Sequence, residues 1–212
     1  MLLRHVGRLS LIAILSLGVV CPAFAAVIYD EASGDLPGSG LSPTIQSLGV
    51  LSEGSNEVHG TTGGTVVGGT RIPDRDYFTV TVPVGFKLTA LTQLPGTTSL
   101  VGFLGVQTGA QLTVAPSAAT AAGLLGWIHY GIPTLGTDLL PTMGTNGFGA
   151  DGFTPPLGAG DYSFWIQDTT EGTFAYRFDL VVEAVPVPAS FGMVLLGVGA
   201  MALARRWRRA RD

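Results

Sequence analysis

The side chains able to do chemistry in this chain are few and mostly acidic. Asp74 and Asp76 stand just before an alternating, strand-like run, and Asp161 opens a second one. Asp30, Glu31 and Asp35 fall in a turn-rich stretch, VIYDEASGDLPGSG, that is able to bring them together. Carboxylates of this kind, with backbone carbonyls, supply the six to eight oxygens that calcium takes. Asp74, Asp76 and Asp161 are therefore the candidate calcium ligands, and calcium is the one cofactor the acids allow. Their spacing is neither that of an EF-hand nor that of a calcium-binding repeat, and acids also flank strands to cap turns and keep edges soluble. Paired acids also hydrolyse glycosides, but only at a set separation across a cleft. Trp127, Tyr130 and Trp165 are candidates for a sugar-stacking platform; the same residue types also fill the layers of a β-sandwich.

Other catalytic signals are poor. The body has two histidines, His59 and His129, without the spacing of a zinc site. It has no nucleophile elbow of the Gly-x-Ser-x-Gly type, and the single cysteine, Cys21, lies near the N-terminus. The run Gly147-Phe148-Gly149-Ala150-Asp151-Gly152 matches G-x-G-x-x-G, but Phe-Thr-Pro-Pro follows where a phosphate-binding helix would have to start. The body is expected not to be an enzyme.

The elements that must position these residues read as strands. Glycine is frequent (31 residues), charge is sparse (12%), and hydrophobic residues make up 46%. In 76–83, Phe78, Val80 and Val82 alternate with Tyr77, Thr79 and Thr81, as in a half-buried strand. Alternation resumes at 86–94. The stretch 99–107 reads as a further strand, 56–62 and 111–114 as short ones, and 126–131 is a short aromatic run. Residues 161–168 and 173–183 both alternate and are joined by a short turn, which predicts a terminal hairpin. Residues 62–70, rich in glycine, read as a loop or bulged edge, and 134–156 as a long loop. Eight to ten strands suit an all-β fold, a two-sheet antiparallel β-sandwich or jelly roll over 26–183.

Both ends carry addresses. Residues 1–25 have the layout of a signal peptide: Arg4 and Arg8, an apolar run over 9–20, then Ala23-Phe24-Ala25, with cleavage expected after Ala25. At the other end Val185, Pro186, Val187, Pro188 and Ala189 precede an uncharged apolar run, 191–204, and then Arg205, Arg206, Arg208, Arg209 and Arg211. Massed arginines stay on the cytoplasmic side, so 191–204 is expected to be a transmembrane helix with the body outside. A signal helix and a transmembrane helix thus flank the body. Without the ends, four basic residues face 14 acids, a formal charge of −10. That excludes nucleic acid as a partner. Without cysteine, a packed core must hold the body together.

The three-part tail, 184–212, resembles the PEP-CTERM sorting signal of Gram-negative bacteria in its VPxPA variant, with Val187 where the name-giving glutamate would stand. The resemblance implies an exosortase and a signal peptidase as partners. It further implies an inner-membrane-anchored precursor and a destination at the cell surface or in an extracellular matrix rich in exopolysaccharide. In the body, the stretches over 74–83 and 157–167 resemble the pre-peptidase C-terminal type of β-sandwich, a non-catalytic appendage of secreted enzymes. Three readings follow: a non-enzymatic exported surface protein, a carbohydrate- or calcium-binding module, and a secreted hydrolase.

Overall fold

The structure is a computed structural model that describes residues 25–38 and 45–186. The signal segment and the apolar and basic parts of the tail lie outside the described residues, as do the two helices expected there. Nine strands form in chain order: β1 (Ala26–Asp30), β2 (Gln46–Val50), β3 (Gly54–Val67), β4 (Thr70–Val82), β5 (Phe86–Gln93), β6 (Gly102–Thr108), β7 (Gly126–Tyr130), β8 (Gly160–Gln167) and β9 (Gly172–Ala184). One short helix, α1 (Leu140–Asn146), packs beside β7. The all-β expectation holds. A single hydrogen-bonded path, β5-β9-β3-β4-β8-β6-β7, runs through the strands, with β1 added to β3 and β2 to β4.

The long ribbon β3–β4 joins the two halves of this path. The stretch expected as a loop at 62–70 is its tip. Gly68 and Gly69 both take positive φ (58° and 78°), which suits a two-residue hairpin turn, so the glycines tighten a strand pair instead of ending one. The two strands pair only from Val67↔Thr70 to Gly63↔Asp74 and then diverge. Beyond the fork β3 pairs with β9 and β4 with β8. The edges left open there are taken by β1, parallel to β3 over 56–59, and β2, parallel to β4 over 78–81.

The terminal hairpin is corrected. β8 pairs with β4 and β6, whereas β9 pairs with β3 and β5. The short turn between them crosses from one half of the path to the other, because each strand finds its long apolar face opposite a different partner. Gln111–Val114 is not a strand, and α1 forms inside the expected long loop. Leu139, Leu140 and Met143 supply its buried side, which seven residues with Pro141 and Gly144 do not advertise in a sequence.

The main core joins the alternating faces read from the sequence: Phe78, Val80 and Val82 with Phe164 and Ile166, and Tyr176, Phe178, Leu180 and Val182. Phe78 and Phe164, directly opposite in register, stack at 5.2 Å. Two core tyrosines use glycine as a floor. Tyr176 lies across from Gly60 and Tyr130 across from Gly102, and a Cβ on either glycine would sit inside the tyrosine ring. Inserting a methyl into such a contact typically costs about 1–3 kcal/mol. Gly60→Ala and Gly102→Ala are each expected to lower the urea midpoint by that equivalent without changing the slope. Gly158→Ala, which meets nothing within 4 Å, is expected to leave it in place; equal effects at all three sites would contradict the packing described.

Candidate metal centre

At the fork of the ribbon three carboxylates meet. Asp76 is carried on β4 two residues past the last β3–β4 pair. Glu31 opens a 3-10 turn, Glu31–Ser33, directly after β1, and its start is set by the Asp30 side chain accepting from the Ala32 N–H (2.9 Å). The parallel pairing of β1 with β3 then fixes where that turn lies. Glu31 Oε2 accepts from both the N–H of Thr61 and its hydroxyl (2.7 Å), so one oxygen serves to position the group. Asp35 follows four residues later. One carboxylate oxygen from each of Glu31, Asp35 and Asp76 lies within 4.8 Å of the others.

Burial makes this cluster unusual. Asp76 is 0% exposed, Glu31 is half-buried and Asp35 is on the surface. Neither oxygen of Asp76 makes a well-formed hydrogen bond, and Glu31 Oε1 and the Tyr176 hydroxyl are likewise buried without one. Burial pushes the Asp76 carboxyl up to about 8; the nearby Tyr176 hydroxyl offsets part of the rise, and the charges of Glu31, Asp74 and Asp35 add to it. Burial also raises Glu31 to about 7, against the pull of its bonds from Thr61 and with a push from Asp35. Every ion pair among the described residues involves His59, so no lysine or arginine neutralises the three acids.

The sequence named Asp74, Asp76 and Asp161 as one calcium set, and the structure separates them. Asp161 pairs across β4 with Thr81, five positions from Asp76, and accepts from the Thr81 hydroxyl at 2.6 Å. Asp74, one full repeat before Asp76 on the same strand, stays exposed while its neighbouring charge acts on Asp76. Glu31 and Asp35 were legible only as members of an acidic stretch; their union with Asp76 needed the pairing of β1 and β3. His59 is held between Glu57, at 2.7 Å from Nε2, and Arg177, which donates to Nδ1 at 3.2 Å.

The aromatic platform is also divided. Residues 127 and 130 point to opposite faces of β7. Tyr130 is in the main core, edge-on to Phe178 at 5.0 Å. Trp127 and Trp165 share the other face, where a row runs Trp127–Phe103 (5.6 Å), Phe103–Trp165 (4.8 Å) and Trp165–Tyr77 (5.8 Å). Leu112, Val114 and Leu124 cover this row as a second small core, leaving Trp165 5% exposed. A cavity of about 290 Å³ remains between Trp127, Trp165, Val114 and Phe148, with Phe148 88% exposed at its rim. The G-x-G-x-x-G run lies here, after α1 instead of before a helix, and its backbone accepts from the Trp127 indole N–H at Phe148 (3.1 Å).

Residues 184–209 match the PEP-CTERM protein-sorting motif. No curated protein and no solved structure is similar to this chain. The motif marks an exported, exosortase-targeted protein made as a membrane-anchored precursor and sorted to the cell surface. Among the described residues no helix is long and apolar enough to cross a membrane; 191–204 lies outside them.

The carboxyl of Asp76 rises from an unfolded value of about 3.9 to about 8 in the fold. Its contribution is therefore lost progressively as pH climbs from about 4 to about 8, because the unfolded state gives up the proton first. Metal-free protein is expected to lose about 1–3 kcal/mol more than Asp76→Asn over that range, read from urea midpoints. Parallel pH profiles would show that the buried carboxylate is relieved in some other way.

Proposed function

We propose that this chain is a non-enzymatic β-domain that an exosortase sorts to the surface or extracellular matrix of a Gram-negative bacterium, in association with exopolysaccharide. The observation that carries the reading is the junction between body and tail. The matched motif begins at the last residue of β9, and the N–H of Val185 still donates to Gly85 at 2.7 Å. The folded body thus runs into the sorting motif without a spacer.

The other junction fits the same use. β1 runs parallel to β3 and β9 antiparallel to it, so the chain enters at Ala26 and leaves at Ala184 from the same end of the sheet. Ala26 pairs with Asn56, which pairs with Leu180; strand spacing puts the two junctions about 15–20 Å apart. A body joined to membrane segments at both ends therefore stands on the membrane by one end and needs no long linker. The non-enzymatic part of the reading is supported by the acids themselves. Asp76 is sealed from solvent, so a glycoside has no access to the carboxylate around which the three acids gather.

A second reading, glycan binding, is favoured by the exposed ring of Phe148 beside the cavity at Trp127. Stacking of sugar rings on these aromatics would make Phe148→Ala and Trp127→Ala lower retention of the chain on the producer's own exopolysaccharide about fivefold, since a stacked ring is worth about 1 kcal/mol beyond burial. Unchanged retention leaves the chain without this role.

The sorting reading is tested by expressing the full chain, a chain lacking 185–212 and a Pro186→Ala, Pro188→Ala chain in cells with and without an exosortase. The full chain is expected in the membrane fraction without the enzyme and as a shortened, released form with it. The truncated chain is expected to be soluble in both, and the double variant to stay uncut. Identical mass and distribution of the full chain in both cells would refute the proposal.

A further inference from the structure

We propose that Glu31, Asp35 and Asp76 form a calcium site that locks the N-terminal segment 26–38 onto the middle of β4. The three carboxylate oxygens lie within 4.8 Å of one another. Calcium binds oxygen at about 2.3–2.6 Å, so ligands on opposite sides of the ion stand about 5 Å apart; magnesium draws them to about 4 Å and prefers to keep its waters. Asp35, on the surface, provides the way in and leaves room for water to complete the shell.

A second observation points to a ligand independently of the clustering. Asp76 is fully buried with both oxygens unbonded, and it is aimed into the space that Glu31 and Asp35 close. Glu31 divides its oxygens: Oε2 is held by Thr61, and Oε1 is buried and free. The Tyr176 hydroxyl beside Asp76 is also buried and free. A buried carboxylate is tolerated when it is paired, hydrogen-bonded or bound to a metal. Here Asp76 has no well-formed hydrogen bond, with only the Tyr176 hydroxyl close by, and no basic side chain within 4 Å answers the cluster among the described residues. Water would satisfy the oxygens but not the charge.

Such an ion would act as a cross-link. Glu31 and Asp35 belong to the segment after β1, and β1 is held to β3 over Asn56 to His59 alone. The same segment places Leu36, 2% exposed, in the core. With the ion bound, segment and ribbon are one unit; without it, the short β1–β3 pairing alone ties the segment to the ribbon. A site of three acids with one on the rim falls in the weak class, about 0.1–1 mM, that suits extracellular modules. The proposal does not depend on how the tail is processed.

The test uses the full chain, purified in detergent and stripped of metal, with calcium chloride as the probe. At a hundredfold excess over Kd, calcium is expected to raise Tm by about 5–10 °C, and hydrogen exchange across 26–38 is expected to slow. Asp35→Asn, a surface change, is expected to fold with the Tm of the metal-free parent and to weaken calcium at least about tenfold. Asp76→Asn is expected to lose the calcium increment. No Tm shift in the parent chain, or an undiminished shift in both variants, would overturn the site. An equal shift with magnesium would overturn calcium as its ion.

Discussion

The architecture rests on what happens where β3 and β4 stop pairing with each other. Backbone N–H and C=O groups inside a protein must find partners. A ribbon that opens at Gly63 and Asp74 releases two edges at once. The fold closes both with short strands from the N-terminal region: β1 joins β3 and β2 joins β4, each in parallel, β1 running toward the fork and β2 away from it. The two halves of the sheet path can then separate far enough to hold side chains between them, with Phe78 and Phe164 from one half and Tyr176 and Phe178 from the other. The fork is thus both the joint of the fold and the reason its interior has a polar corner.

That corner is costly by design. Thr62, Asp76 and Tyr176 are all fully buried near the fork, and none of their side-chain oxygens has a well-formed hydrogen bond. An apolar residue at position 76 would continue the strand equally well, since the positions that follow on β4, Tyr77 to Val82, are all aromatic or β-branched. Asp76 therefore does not follow from packing. The glycines opposite the tyrosines do: Gly60 and Gly102 let Tyr176 and Tyr130 lie flat over bare backbone, filling volume that smaller residues on a closer-spaced pair would leave open. The second small core follows from the same economy. Trp165 and Tyr77 occupy the face of their strands that sequence alternation assigns to solvent, and a loop carrying Leu112, Val114 and Leu124 folds back to cover them.

Much of the strand content was legible because alternation over 76–83, 161–168 and 173–183 is nearly unbroken, and those stretches became β4, β8 and β9. What failed had local causes. Glycine at 62–70 reads as loop because its usual role is freedom, whereas here it pairs in register across the ribbon and closes a tight turn. The link 168–171 has the length of a hairpin loop, and only the partners of β8 and β9 reveal that it crosses between halves. Parallel edge strands such as β1 and β2 are five residues long and lack alternation strong enough to announce themselves. The acids show the same limit. Asp76 and the Asp30–Glu31–Asp35 group were each visible, but 45 residues separate Glu31 from Asp76 in the chain, and their meeting is a property of pairing, not of spacing.

The placement of the acids and the placement of the junctions are connected through β1. Its first residue, Ala26, adjoins the expected signal cleavage position, and its last, Asp30, adjoins Glu31. The strand therefore runs from the end of the sheet where β9 leaves to the fork. In the proposed precursor, any pull on Ala26 would act along β1 toward Glu31. A fork cross-linked through Glu31, Asp35 and Asp76 resists that pull; one tied by the short β1–β3 pairing alone yields to it. The least satisfied group, Asp76, sits on β4 and not on β1, so the strand by which the chain enters the body carries none of the buried polar cost itself.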